Sequence, residues 1–265
     1  MFPPCRIVCL TEETVETLYL LGRQDCIVGI SGYTVRPPEA RRDKPRVSAF
    51  TSADTEKIVA LAPDLVLAFS DLQADIVATL VRRGIAVHAF NQRDIAGILD
   101  MIRTLGALVD ARHAAGTLAD RLADIVATAR ADAARLPAKP RVYFEEWDEP
   151  AISAIRWVSE LVEVAGGIDV FADQSRAGDA KGRIVDAGQI IAGAPDIIIG
   201  SWCGKKFRPE RVAARAGFAA LPAVRDGALF EIKSSIILQP GPAALTDGLA
   251  ALQGIVRNWV EKNKI

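Results

Sequence analysis

Glu56-Lys-Ile-Val-Ala-Leu-Ala-Pro-Asp-Leu-Val-Leu-Ala-Phe69 is answered later in the chain by Gly188-Gln-Ile-Ile-Ala-Gly-Ala-Pro-Asp-Ile-Ile-Ile-Gly-Ser201. Pro63 matches Pro195 and Asp64 matches Asp196, with no shift of register. Each copy reads as a short amphipathic helix, a Pro-Asp turn and a run of aliphatic residues too apolar to keep a solvent face. A strand buried on both faces of a parallel sheet has that composition. Two similar α/β bodies are therefore expected.

Between the copies lies the longest helical pattern of the chain, from Asp110 to Leu136. Ala111, Ala115, Leu118, Leu122, Ile125, Val126, Ala129, Ala133 and Leu136 recur at the helical period, with Arg and Asp on the other face. Pro137 and Pro140 stop it. At about 1.5 Å per residue it spans ~40 Å, enough to join two bodies. The expected organisation is an N-terminal α/β lobe over residues 1–109, a linking helix over 110–137 and a C-terminal α/β lobe over 138–265.

Within the first lobe, strand patterns at residues 6–10, 26–30, 46–50, 64–69 and 85–90 alternate with helical ones, and helix 94–108 closes the lobe. The second opens with strand 141–144 and helix 156–164. A polar stretch over 173–183 with few structural signals follows, then the repeated helix and strand, helix 209–215, strand 228–232 and a terminal helix after Pro240-Gly-Pro242. This alternation predicts two Rossmann-like lobes with parallel sheets and helices on both faces, joined by a single long α-helix.

With 265 residues, 50% hydrophobic, and a formal charge of -1, the chain has material for two cores and no basic footprint for nucleic acid. No apolar run reaches membrane length. Met1-Phe-Pro-Pro-Cys-Arg6 has neither a basic nor a long apolar segment of a secretory signal; taken as the natural start, it leaves localisation open between periplasm and cytoplasm. Cys5, Cys9, Cys26 and Cys203 lack zinc spacing and read as buried thiols. His88 and His113 have no ligand partner at useful spacing, so no metal site is expected.

Ligands of open parallel sheets bind at the carboxyl ends of the strands. Those ends hold Tyr33, Phe50-Thr51, Phe69-Ser70, Asn91, Glu146-Trp147 and Trp202-Cys203. Aromatics make up only 6% of the chain, so their gathering here predicts a cleft walled by ring faces, suited to a large flat ligand. Trp147 and Trp202 read as cleft residues and Trp157 as core. The acidic run Glu145 to Glu149 reads as a solvated rim rather than a metal site or carboxylate pair. Gly29-Ile-Ser-Gly32 is one residue short of a nucleophile elbow, and Gly200-Ser-Trp-Cys-Gly-Lys-Lys206 lacks phosphate-loop spacing. A binding protein rather than an enzyme is expected.

Arg6-Ile-Val-x-Leu10 followed by Thr11-Glu12, Val28-Gly-Ile-Ser-Gly-Tyr33 before Pro37-Pro38, the Glu56–Phe69 segment and Pro240-Gly-Pro242 resemble the cobalamin-binding branch of the class III periplasmic binding proteins. So do Tyr143-Phe-Glu-Glu-Trp-Asp-Glu-Pro150, Arg156-Trp-Val-Ser-Glu160 and Ser201-Trp-Cys-Gly-Lys-Lys-Phe-Arg-Pro-Glu-Arg211. These are substrate-binding components of ABC importers for cobalamin, haem and iron-siderophore complexes. The resemblance implies capture of a corrinoid (cobalamin) by a monomer, with no intrinsic cofactor. It implies an aromatic clamp on Tyr33, Phe50 and Phe69 in the first lobe and on Trp147 and Trp202 in the second, with Thr51 among the hydrogen-bonding groups. It also implies docking to an ABC permease through one glutamate per lobe. Glu56 fills the first position, but Gly188 stands at the second, with Asp186 the close substitute. The other readings are an iron-siderophore or haem binding protein, and a cytoplasmic corrinoid-handling protein or enzyme using Glu145, Glu146 or Cys203.

Overall fold

The computed structural model describes residues 3–263. They fall into two compact units, one running to Gln92 and taking in Ala96–Ala123, the other made of Arg93–Ile95 and the chain from Asp124 onward. In the first, β1 (Ile7–Cys9), α1 (Glu12–Leu20), β2 (Ile27–Ser31), α2 (Pro38–Asp43), β3 (Arg46–Ser48), α3 (Thr55–Ala60), β4 (Leu65–Phe69), α4 (Ala74–Arg82), β5 (Val87–Phe90) and α5 (Ile95–Leu108) alternate, and α6 (Arg112–Ala133) follows. The sheet order is β3-β2-β1-β4-β5, every neighbouring pair parallel. Val8, Leu10, Val66 and Ala68 face one side, against Val47, Ile58 and Leu80. Ile7, Cys9, Leu65, Leu67 and Phe69 fill the other, so the central strands are apolar on both faces.

Helix α6 has 22 residues, about 33 Å, and is shorter at both ends than its apolar period. Asp110 takes a left-handed conformation (φ 54°) that turns the chain out of α5, and after Ala133 a last turn closes the helix, with the Ala134 amide on the Arg130 carbonyl (3.1 Å) and the Leu136 amide on that of Ala133 (3.2 Å). Its apolar stripe is buried, and Gly106 of α5 lies so close to Ala115 that a Cβ there would stand 2.1 Å from the alanine methyl. Residues of α6 belong to both units.

The second unit contains β6 (Arg141–Asp148), β7 (Ala151–Ser153), α7 (Arg156–Val164), β8 (Ile168–Asp169), α8 (Ala187–Gly193), β9 (Ile197–Gly200), α9 (Pro209–Ala213), α10 (Pro222–Arg225), β10 (Leu229–Glu231), α11 (Ser234–Ile237), a π-turn over Ala244–Gly248 and α12 (Leu249–Lys262). Its sheet runs β10-β9-β6-β7 with β8 also on β6. All pairs are parallel except β6 with β7.

The repeat extends to the hydrogen bonds. Asp64 accepts the amides of Cys5 (2.8 Å) and Arg6 (3.0 Å), and Asp196 accepts that of Arg141 (2.8 Å). The Arg6 guanidinium caps Leu61 and Ala62 carbonyls at the end of α3, as Arg141 caps Gly193 at the end of α8. Ala62 and Ala194, just before the two prolines, share a left-handed φ of 44° and 40°.

Three expectations are corrected. Strand β6 continues past Phe144 to Asp148, because the acidic run pairs with β7 as a hairpin instead of ending the strand. The polar stretch over 173–183 holds two 3₁₀ turns and buries Arg183, whose guanidinium bonds Glu146 (2.5 Å) and the Ser153 carbonyl (2.6 Å). Of the cysteines, Cys9 is buried, but Cys5 precedes β1, is exposed and donates its thiol to Asp64 at 3.5 Å.

Two glycines test the packing in opposite directions. A Cβ on Gly200 would stand 1.8 Å from the Phe207 ring, so Gly200→Ala is expected to lower the unfolding free energy by about 1–3 kcal/mol. Gly116 lies inside α6 with open space beside it, and Gly116→Ala should raise stability by about 0.5–1 kcal/mol. Urea denaturation midpoints of both variants check this; a tolerated alanine at 200 would contradict the ring placement.

Candidate ligand-binding site

In the first unit, strand order reverses between β1 and β4, the place where open α/β sheets bind ligands beyond their strand ends. One buried side chain organises that edge. Gln73 accepts the Phe69 amide (2.9 Å) through its carbonyl and donates its NH₂ to the carbonyls of Leu10 (3.3 Å) and Phe50 (2.9 Å). It thus ties the loops after β1 and β3 to the end of β4. Next to it, Ser70 holds an unfavourable backbone (φ 59°, ψ 180°), fixed by its amide on the Phe90 carbonyl (2.8 Å) and its hydroxyl on the Leu72 amide (3.3 Å).

Among the expected ligand-binding residues, Tyr33 is half exposed and projects after β2. Phe50 is half-buried and Thr51 exposed, both after β3. Phe69 is buried as the last residue of β4. Glu56 is exposed and ion-paired with Arg83. At the matching position Gly188 offers no side chain, and Asp186 is engaged as a helix cap, accepting the Gln189 amide at 2.8 Å.

Beyond β1, Thr11, Glu12 and Glu13 are buried at the start of α1. Glu13 accepts the Thr11 hydroxyl at 2.6 Å, while Oε2 of Glu12 has no hydrogen-bond partner. Burial pushes the Glu13 acid up to about 8 and raises that of Glu12. The sequence marks these residues only as an acidic helix start; nothing in their spacing announces burial.

In the second unit, Glu145 is fully buried, contrary to the solvated rim expected for the acidic run. Arg215 grips it with two bonds (2.5 and 2.9 Å), the Tyr143 hydroxyl donates to it (2.8 Å) and so does the Trp202 indole (2.9 Å). Burial, reinforced by the Glu145 charge, holds the Tyr143 phenol well above its usual range. Trp202 is 3% exposed and packs edge-on against Phe207 at 5.0 Å between centroids, so its ring is core, where the sequence reading made it a cleft wall. Trp157 is buried, its indole bonded to the Ile237 carbonyl.

Trp147 is half-buried at the end of β6, its indole donating to the Glu149 carbonyl at 2.9 Å. The Lys205 ammonium lies 4.0 Å from its ring centroid and is ion-paired with Asp148. Cys203 is exposed. Among the described residues, no group of three or more His, Cys, Asp or Glu side chains is placed to hold a metal. No described helix is long and apolar enough to cross a membrane.

Two outcomes follow from the buried acids. Arg215→Leu strands the Glu145 carboxylate in the core and is expected to cost about 3–5 kcal/mol, with a shift in Trp202 emission; a variant as stable as the parent would contradict the network. For Glu13, burial pushes the folded acid up to about 8 from an ordinary value of 4.5. Between those values the native state holds the extra proton. Stability from this group is therefore complete below the unfolded pKa and is lost as pH rises through the folded one. Glu13→Gln should flatten that decline in urea titrations across the window, and an unchanged slope would refute the assignment.

Residues 7–236 match the family described as Periplasmic binding protein. A protein of Halobacterium salinarum named Cobalamin-binding protein is 26% identical over 250 residues, covering 90% of this chain; the chain spans 66% of that relative's length. Among solved structures, a periplasmic vitamin B12 binding protein of Vibrio cholerae superposes with a TM-score of 0.78 at 22% identity, covering 99% of both chains. A periplasmic heme-binding protein from Roseiflexus sp. superposes with a TM-score of 0.81 at 23% identity, covering 95% of this chain and 98% of the other. At these identities the two structures speak for the fold. The matched residues include both copies of the internal repeat and every strand of both sheets, and the chain belongs to the periplasmic binding protein family.

Proposed function

We propose that this chain is a non-catalytic binding protein for a corrinoid, cobalamin being the type ligand. The observation that carries this reading is its similarity, over 90% of its length, to a relative named for cobalamin binding. The local chemistry agrees with it. Each unit offers, at the carboxyl ends of its parallel strands, ring faces set in polar surroundings: Tyr33 and Phe50 with Thr51 in the first, Trp147 in the second. A corrin presents a broad apolar face and a margin of amides, which such rings and hydroxyls suit. Phe69 and Trp202 act from behind, Phe69 through the Gln73 lattice and Trp202 through Glu145.

Capture on this reading is reversible and leaves the ligand unchanged. Burial of a ring against the corrin contributes about 25 cal/mol per Å² of apolar surface removed from water. Delivery to an ABC permease that reads one carboxylate per unit would rest on Glu56, since position 188 is glycine.

Calorimetric titration with cyanocobalamin, with haemin and a ferric siderophore in parallel, tests the proposal. The expected result is saturable one-to-one binding of the corrinoid, recovered unmodified, and about tenfold or greater weakening in Trp147→Ala. Binding of haemin or the siderophore with no response to the corrinoid would overturn it, as would release of an altered corrinoid.

A further inference from the structure

At the carboxyl ends of β9 and β10 the second unit contains an open cavity of about 310 Å³. Its lining carries three ammonium groups, Lys205, Lys206 and Lys233, against one carboxylate, Glu231, with Trp202 and Ser234 completing the wall. The carboxylate is engaged: Glu231 accepts the Phe207 amide at 3.2 Å and pairs with Lys233 at 2.8 Å, which fixes that lysine at the mouth. Lys205 is paired with Asp148 and lies 4.0 Å from the Trp147 ring centroid and 5.4 Å from that of Trp202. Arg211 also approaches Asp148, at 3.9 Å. Lys206 is exposed and makes no ion pair among the described residues.

Positive charge therefore gathers in a chain of near-neutral total charge, in a concavity that adjoins the indole assigned to the ligand. We propose that this cavity is an anion subsite receiving a negatively charged oxygen-bearing arm of the bound corrinoid, a phosphodiester or a carboxylate. The inference rests on the corrinoid reading. Lys206 and Lys233 meet the anionic oxygens, and Lys205 links that contact to the face of Trp147. Ammonium groups suit this task because they act as point charges with three donors each, satisfied by a phosphate or carboxylate in several orientations.

Three corrinoids separate the sources: cobinamide, which has neither group, cobalamin, which has the phosphodiester of its nucleotide loop, and cobyric acid, which has a carboxylate and no phosphate. Each is titrated into the full chain and into the Lys206→Ala/Lys233→Ala double variant, whose thermal unfolding is checked first. Single Lys206→Ala is a second variant that leaves the Glu231 pair intact. The parent is expected to bind at least one anionic corrinoid about tenfold more tightly than cobinamide. That preference should shrink as salt rises and collapse toward unity in the double variant. A preference that survives both substitutions, or is missing in the parent, overturns the subsite while the corrinoid reading stands. Failure of all three to bind overturns both.

Discussion

Two carboxylates at equivalent places, Asp64 and Asp196, hold the amino end of the neighbouring central strand. Amides just ahead of a strand's first ladder bond lack a partner within the sheet, and a Pro-Asp turn supplies one from the adjacent element. In the first unit Asp64 takes two of them, from Cys5 and Arg6, and returns its own amide to the Arg6 carbonyl at 2.9 Å. In the second, Asp196 takes the Arg141 amide and returns its own to the Arg141 carbonyl at 2.8 Å. Burial pushes the Asp64 acid upward, but the Cys5 and Arg6 hydrogen bonds outweigh it and hold the carboxyl below its usual range. The clamp sets the register of β1 with β4 and of β6 with β9, and a parallel register fixed at one end determines which residues emerge together at the other. The positions of Phe69, Ser70, Ser201 and Trp202 follow from it.

At the opposite edge the two units solve a different problem in different ways. Loops leaving a sheet bring backbone carbonyls and polar side chains into partial burial, where each needs a partner. The first unit uses a neutral amide, Gln73, with both ends of its side chain engaged. The second uses a charge, Glu145, and surrounds it with an arginine, a phenol and an indole. Burying that carboxylate is tolerable because Arg215 meets it in a bidentate geometry and the other donors complete its shell. The two solutions have different consequences for the aromatics. Gln73 holds Phe50 only by its backbone carbonyl and leaves the Phe50 ring half-buried and Tyr33 half exposed, whereas Glu145 draws Trp202 inward and leaves Trp147 at the strand end.

The alternation of strands and helices was legible because both central strands are apolar on two faces and the repeat supplies a second reading of the same unit. The strand-end aromatics were legible as a group for the same reason. What sequence could not separate was their individual fate. Trp147 and Trp202 both follow strand ends among polar residues, yet one indole points its donor at a loop carbonyl and the other at a buried carboxylate contributed by a different strand. No local pattern encodes that partner, which is 57 residues away. The acidic run misled for a related reason: Glu145, Glu146 and Asp148 each meet a cation supplied from distant sequence, Arg215, Arg183 and Lys205. Gln73 gave no signal, since a lone glutamine in a polar turn reads as solvated.

The place where the repeat breaks is as informative as the places where it holds. Glu56 and Gly188 both occupy the second position of a helix whose cap is an aspartate, Asp54 in one and Asp186 in the other. In α3 the cap is one-sided: Asp54 accepts the Lys57 amide at 3.0 Å, and Glu56 is directed to Arg83. In α8 the cap is reciprocal, with Asp186 on the Gln189 amide and the Gln189 side chain on the Asp186 amide at 2.9 Å. A Cβ at residue 188 would stand 3.2 Å from the Asp186 carboxylate, and a glutamate there would add like charge to crowding. The second helix therefore gains a closed capping box at the position where the first displays an acidic side chain. The two helix starts thus differ in what they expose, an acidic side chain at residue 56 on α3 and a glycine beside a closed capping box on α8, even though the supporting fold is repeated.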